Sequence, residues 1–172
     1  MRGSFINQIN DRSGQTVQLC YHCHKCTAGC PTAYVMDYKP DQILRLVQLG
    51  QKDRVLNSSA IWMCVSCDVC GTRCPNQIRL APVMGALRHI ALEEGYSPEP
   101  AVYALHRSFL DSIRLWGRVH ELSMLMAYKL RSRDLFSDLA LGMNLIWKGK
   151  LSFLPKRVKG LDKVKKLYKE SS

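Results

Sequence analysis

No cysteine lies outside two short stretches of this chain, and nowhere in its 172 positions do 18 apolar residues follow one another. The second absence leaves no candidate for a membrane-spanning helix. Acids are scarce, 14 against 25 Lys and Arg, so the formal charge is +11. A basic surface of this kind suits an acidic protein partner before an anionic surface. It also suits nucleic acid, but neither a helix-turn-helix nor a zinc-finger pattern is present. There is no Ser/His/Asp set and no glycine-rich phosphate loop, so no catalytic site is expected. Met1-Arg2-Gly3-Ser4 leads into polar residues instead of an apolar segment, so no secretory signal is expected. Hydrophobic residues make up 47%, enough for a core. The length suits one domain, or one domain with an extension.

What is present is a repeated pattern. Cys20-Tyr21-His22-Cys23-His24-Lys25-Cys26-Thr27-Ala28-Gly29-Cys30-Pro31 and Cys64-Val65-Ser66-Cys67-Asp68-Val69-Cys70-Gly71-Thr72-Arg73-Cys74-Pro75 both read C-x2-C-x2-C-x3-C-P, and together hold all 8 cysteines. This is the bacterial ferredoxin spacing for cubane [4Fe–4S] clusters. A cubane needs one thiolate at each of four irons. Three cysteines in one tight loop reach three corners, and the fourth must come from elsewhere. In two-cluster ferredoxins it comes from the other run. The reading is therefore two [4Fe–4S] clusters, one on Cys20, Cys23, Cys26 and Cys74, the other on Cys64, Cys67, Cys70 and Cys30. Pro31 and Pro75 turn the chain after each crossing ligand. Gly29 and Gly71 are small where backbone is expected to approach inorganic sulfur.

Other uses of cysteine fit less well. Structural zinc takes two separated C-x2-C pairs around one ion. Disulfides belong to oxidising compartments and small secreted domains. Two clusters together remove about four positive charges, and the loaded chain stays basic. Thiolate-bound clusters and the polar start both point to the cytoplasm.

The fold expected is mainly α: a helical two-cluster ferredoxin-type domain, then further helices and a basic C-terminal tail. Residues 1–18 read as an N-terminal arm, polar, with a turn at Ser13-Gly14 and a short extended piece at Thr16–Leu19. Residues 19–97 hold the cluster domain. Within its 33-residue insert, Pro40-Asp41 opens a helix whose apolar face is Ile43, Leu46 and Val47, closed by Leu49-Gly50. A short helix follows at Asp53–Asn57, and Ser58-Ser59 cap another turn carrying Ile61, Trp62 and Met63. Pro82 opens a helix with Val83, Leu87, Ile90 and Ala91 on one face, stopped by Gly95. Residues 98–149 read as a helical extension for subunit packing. Its three helices carry Ala101, Leu105, Phe109 and Ser112, then Leu122, Leu125, Met126 and Leu130, then Leu135, Leu139 and Leu145. Gly117, Arg131-Ser132-Arg133 and Gly149 mark their ends. Residues 150–172 are the tail; from Lys148 onward nine Lys or Arg stand against two acids, with Leu161, Val164 and Tyr168 spaced for a short amphipathic helix.

The paired cysteine runs, the helical insert, Cys74-Pro75-Asn76-Gln77-Ile78 and the helix from Pro82 to Arg88 resemble the family of heterodisulfide reductase C subunits. Lys148-Gly149-Lys150-Leu151 with Leu154-Pro155-Lys156 resembles that family's C-terminal end. Relatives often carry a glycine where His24 stands. The resemblance covers most of the chain from about Leu19. It implies an electron-transfer component of an oxidoreductase complex. Single electrons would pass between the flavin-bearing A subunit and the cysteine-rich B subunit, which carries the disulfide chemistry, with no substrate-converting site in this chain. The cysteine motifs are shared with the iron–sulfur subunits of quinone-linked, membrane-associated dehydrogenases, and a free ferredoxin-like carrier is the third reading.

The residues between ligands, Tyr21, His22, His24, Lys25, Val65, Ser66, Asp68 and Val69, are candidates for tuning the potentials. A cation favours the reduced state, so the centre beside Lys25 is expected to be the easier to reduce. His22, His24, His89, His106 and His120 are expected to pack or hydrogen-bond, since eight thiols already suffice. Trp62, Trp116 and Trp147 are expected as core or interface anchors.

Overall fold

The computed structural model describes residues 4–96, 99–133, 137, 143–145, 147–148, 155 and 157–170. The protein is mainly helical, with no strand among the described residues. It divides into two compact units, Met1–Glu99 and Pro100–Ser172.

The first unit contains α1 (Phe5–Ser13), α2 (Lys25–Ala28), α3 (Pro40–Gln48), α4 (Lys52–Leu56), α5 (Ala60–Met63), α6 (Val69–Arg73) and α7 (Leu80–Glu93). Helix α7 is its spine. It packs against α1, α4, α5 and α6, and the burial of Leu80, Val83, Met84, Leu87, Ile90 and Ala91 leaves it little free surface. Pro82 sits in its first turn, where a missing N–H has no intrahelical partner to lose. Helix α3 starts at Pro40 as expected, and the Lys39 amide donates to Gln42 Oε1 at 2.8 Å to close its first turn. Gly50, at φ 67°, takes the left-handed turn beyond its end. Helix α5 is capped by more than the expected serines. Asp37 accepts from the Ser59 amide at 3.0 Å and the Ala60 amide at 2.9 Å, and Ser58 Oγ accepts from Ala60 at 3.1 Å.

The first residues depart from the sequence reading. The expected polar arm contains helix α1, and Ile9 within it is fully buried. Phe5, Ile6 and Ile9 give a narrow apolar edge that Gln8, Asn10 and Asp11 dilute in the sequence. Burial against α7 outweighs that weak pattern. The turn at Ser13-Gly14 is present, Gly14 adopting φ 65°. Val17–Leu19 is a 3-10 turn, not an extended piece. Its Val17 side chain is fully buried and its first amide is held by Asn10 Oδ1 at 3.1 Å.

The second unit contains α8 (Pro100–Trp116), α9 (Glu121–Ser132) and α10 (Leu161–Glu170). Helices α8 and α9 pack together. Small residues of α8 are the buried ones, Ala104, Ser108 and Ser112, while Leu105 and Phe109 stay 40% and 43% exposed. Leu105, Phe109 and Ser112 therefore do not share one buried face. Arg131 of α9 reaches back to Ser108 Oγ at 2.9 Å and Asp111 Oδ2 at 2.6 Å. Gly117 at φ 77° and Arg133 at φ 57° end the two helices at the expected breaks. Helix α10 takes the spacing of Leu161, Val164 and Tyr168, and the Tyr168 hydroxyl donates to the Leu110 carbonyl at 3.2 Å. The expected helix bearing Leu135, Leu139 and Leu145 falls largely outside the described residues, as do Gly149 and the stretch 150–154.

Candidate metal centres

The two cysteine runs repeat in backbone as well as in sequence. Cys20 leaves the 3-10 turn with φ −71° and ψ 118°; Cys64 leaves α5 with φ −69° and ψ 116°. Two and four residues on, His22 and His24 take φ 60° and 62°, and Ser66 and Asp68 take 55° and 59°. A short helix then begins at Lys25 in one run and Val69 in the other. A side chain in the left-handed region costs about 1–2 kcal/mol, so four in matching positions are held there by their surroundings. A glycine at any of these four positions would carry no such cost.

Such alternation turns successive backbone N–H groups into one concavity, the kind that receives anions. Several amides do face sulfur: His22 toward Cys20, Thr27 toward Cys26, Gly71 and Leu80 toward Cys70. Burial raises the thiols of Cys20 and Cys70 and pushes Cys26 up to about 11, with Asp41 adding to that last rise. The amides act in the opposite direction, since they favour the thiolate that a metal requires.

Helix α2 packs on α6, which draws the runs together. Cys30, Cys64, Cys67 and Cys70 line a single cavity with Pro31, Thr32, Leu80 and Met84. Cys20 lies within electrostatic reach of Cys74 and Cys23, and Cys26 within reach of Cys20. The chain thus gathers Cys30 with the second run and Cys74 with the first. Cys26 is buried, Cys67 exposed and the other six half-buried. Among the described residues no three Cys, His, Asp or Glu side chains are close enough to hold a single metal ion; a cubane instead takes four thiolates around a larger body. Thiol-only donors, inward amides and a cysteine-lined cavity fit that group.

A second layer comes from helices that the motif does not contain. Gln48 of α3 donates to the carbonyls of Val17 at 3.1 Å and Cys20 at 2.9 Å, and its oxygen meets His22 Nε2 at 2.7 Å. Arg88 of α7 occupies the matching place at the second run, donating to the carbonyls of Ile61 and Cys64. Asp41 accepts from the Thr27 hydroxyl and lies 2.9 Å from His24 Nδ1. Asp68 pairs with Arg79 at 2.6 Å. None of Asp41, Gln48, Arg79 or Arg88 was expected at the site from the sequence, because contacts across 11 to 31 residues leave no local spacing. The space beside Gly29 and Gly71 is taken by protein: a Cβ would meet Arg73 at 2.5 Å in the first and the Asp68 carboxylate at 2.7 Å in the second.

Of the remaining histidines and tryptophans, His120, Trp62 and Trp116 take structural places. His120 caps α9, its Nδ1 accepting from the Ser123 amide at 3.3 Å. Trp62 is buried in the first unit, Trp116 stacks edge-on with His120, and Trp147 is 93% exposed.

Residues 19–79 match the family model described as a 4Fe-4S dicluster domain. The chain is 38% identical over 81 residues to the iron-sulfur C subunit of the CoB–CoM heterodisulfide reductase of Methanopyrus kandleri, covering 47% of this chain and 42% of that protein. It is 40% identical over 86 residues to the C subunit of a ferredoxin:CoB-CoM heterodisulfide reductase of Methanosarcina acetivorans, covering 50% and 34%. The C2 subunit of the H2/formate:CoB-CoM heterodisulfide,ferredoxin reductase of Methanococcus maripaludis is 30% identical over 113 residues, covering 59% and 61%. The chain spans about half the length of the curated relatives it matches. Over the cysteine runs and the helices around them the chain is thus similar to heterodisulfide reductase C subunits, and its cysteines suit [4Fe–4S] clusters. No described helix is long and apolar enough to cross a membrane.

Proposed function

We propose that this chain is the iron–sulfur relay subunit of a heterodisulfide reductase-like complex in the cytoplasm. It passes single electrons between a flavin-bearing A subunit and a cysteine-rich B subunit where the disulfide chemistry resides. Two [4Fe–4S] clusters supply the chemistry when bound, each storing one electron without binding substrate. Cys20, Cys23, Cys26 and Cys74 hold one; Cys64, Cys67, Cys70 and Cys30 hold the other. The observation that carries this reading is the twice-used backbone of the cysteine runs, with Cys30 seated among the cysteines of the opposite run.

The chain's own residues prepare the site. The left-handed residues aim amides at sulfur, which stabilises thiolate and lowers the penalty of its burial. Gln48 and Arg88 fix the first carbonyl of each run, so the loops keep their shape from α3 and α7. With every thiol committed to the clusters, none is left to act on a substrate. The second unit serves subunit packing, and its exposed Leu105, Phe109, Leu115, Met126 and Leu130 support that role.

The test is anaerobic purification of the native protein from its source, with iron and flavin counted and companions identified. Co-purification with a flavoprotein and a second cysteine-rich protein is the expected result. A lone eight-iron protein would instead indicate a free carrier, and a membrane-held quinone-reactive partner a quinone-linked dehydrogenase.

A further inference from the structure

The two runs share a backbone but not a charge environment. Beside the first run lies a buried anion. Asp41, second residue of α3, is 5% exposed. Its carboxylate accepts from the Thr27 hydroxyl and meets His24 Nδ1, and its amide donates to Thr27 Oγ1 at 3.2 Å. Thr27 follows Cys26 and His24 follows Cys23, so the carboxylate is clamped from inside the run. Its field reaches the sulfurs, adding to the rise of the Cys20 and Cys26 thiols that burial begins. The cations beside this run, Lys25 and the Arg73 whose side chain lies against Gly29, are both exposed and face water, which screens them.

The second run is arranged with the opposite sign. Asp68 holds the position that His24 holds in the first, and Arg79 neutralises it at 2.6 Å. Behind it the half-buried guanidinium of Arg88 grips the carbonyls of Ile61 and Cys64. The equivalent grip on Cys20 is made by Gln48, which carries no charge.

We infer that Asp41 and Arg88 set the order in which the two centres fill. The Asp41 carboxylate opposes an added electron at the centre held by Cys20, Cys23, Cys26 and Cys74, and the Arg88 guanidinium favours one at the centre held by Cys64, Cys67, Cys70 and Cys30. The second centre is then reduced first. This order is the reverse of that expected from Lys25, because a buried charge acts through less water than an exposed one. Asp41 and Arg88 are tuning residues: each acts through the run it grips. The inference rests on the two-cluster reading above.

The loaded protein, with iron and sulfide counted, is titrated through its reduction while the paramagnetic reduced centres are followed by electron paramagnetic resonance. The unmodified chain is expected to give two resolved midpoints. Asp41→Asn raises the lower one and leaves the higher in place, and Asp41→Glu restores it. Arg88→Gln, which keeps donor N–H groups, lowers the higher midpoint alone. Coincident midpoints in the unmodified chain would overturn the inference even if every variant failed to load. So would an Asp41→Asn protein of full iron content whose lower midpoint stays put, or whose higher one moves. A chain that takes up no cubane iron overturns the two-cluster reading itself, a result told apart by the metal count.

Discussion

Asp37 illustrates how much a single side chain can organise near the second run. It accepts from the Ser58 hydroxyl at 2.7 Å and from the amides of Tyr38, Ser59 and Ala60. Burial pulls its pKa upward, but the Ser58 hydroxyl and those amides outweigh it and hold the group below its ordinary 3.8. A depressed carboxylate contributes stability above its unfolded pKa and loses it as pH falls through the folded value. Asp37→Ala is therefore expected to cost about 1 kcal/mol at neutral pH. Thermal unfolding of the loaded protein checks this, and the gap to the unmodified chain should narrow as pH drops below the ordinary aspartate value. At this scale the sequence was partly readable. The cysteines announced themselves by spacing, but the left-handed turns at His22, His24, Ser66 and Asp68 did not. Nor did Asp37 and Asp41, since what makes them matter is a contact partner far along the chain.

Among the elements, α7 carries the most packing, and its buried face was readable because Val83, Leu87, Ile90 and Ala91 repeat with helical period, though it starts at Leu80, two residues before the expected Pro82. Leu87 is fully buried. Leu87→Ala should destabilise the first unit by about 2–5 kcal/mol, checked by chemical unfolding with iron release as a second readout. Helix α3 was equally legible from Pro40 and Gly50. Helix α1 was not: its buried edge is one residue wide at Ile9, too narrow to stand out among polar neighbours. Helix α8 misled in a different way. Its apolar residues suggested an inward face, yet Ala104, Ser108 and Ser112 take the inside and leave Leu105 and Phe109 in water. Periodicity reports which residues share a side, and packing decides which side turns inward.

For the molecule as a whole, the division at Glu99 separates the cysteine runs from everything beyond. A chain ending at Glu99 is expected to keep its iron and both midpoints and to lose capture of its partners; iron analysis and co-purification check the two halves of that statement. Net charge was legible as a sign, +11, and gave the class of surface without its location. Helix α10 shows why: its lysines lie on faces that water covers, and the Tyr168 hydroxyl ties it to α8, a contact that no charge count contains.

The seat of Cys30 among Cys64, Cys67 and Cys70 has a consequence for how the protein matures. Joining Cys30 to Cys64 encloses the 33 residues between them in a ring. Closing a ring of that size costs the open chain about 3–4 kcal/mol of entropy. On the crossed ligation proposed above, whichever centre is inserted first bears that cost, because the exchange of cysteines ties the same two runs in both cases. The second insertion meets a loop already shut, and its affinity gains by roughly several hundred-fold. With that ligation maturation works as a latch: a half-filled chain favours the full state, and damage to either centre loosens the hold on the other.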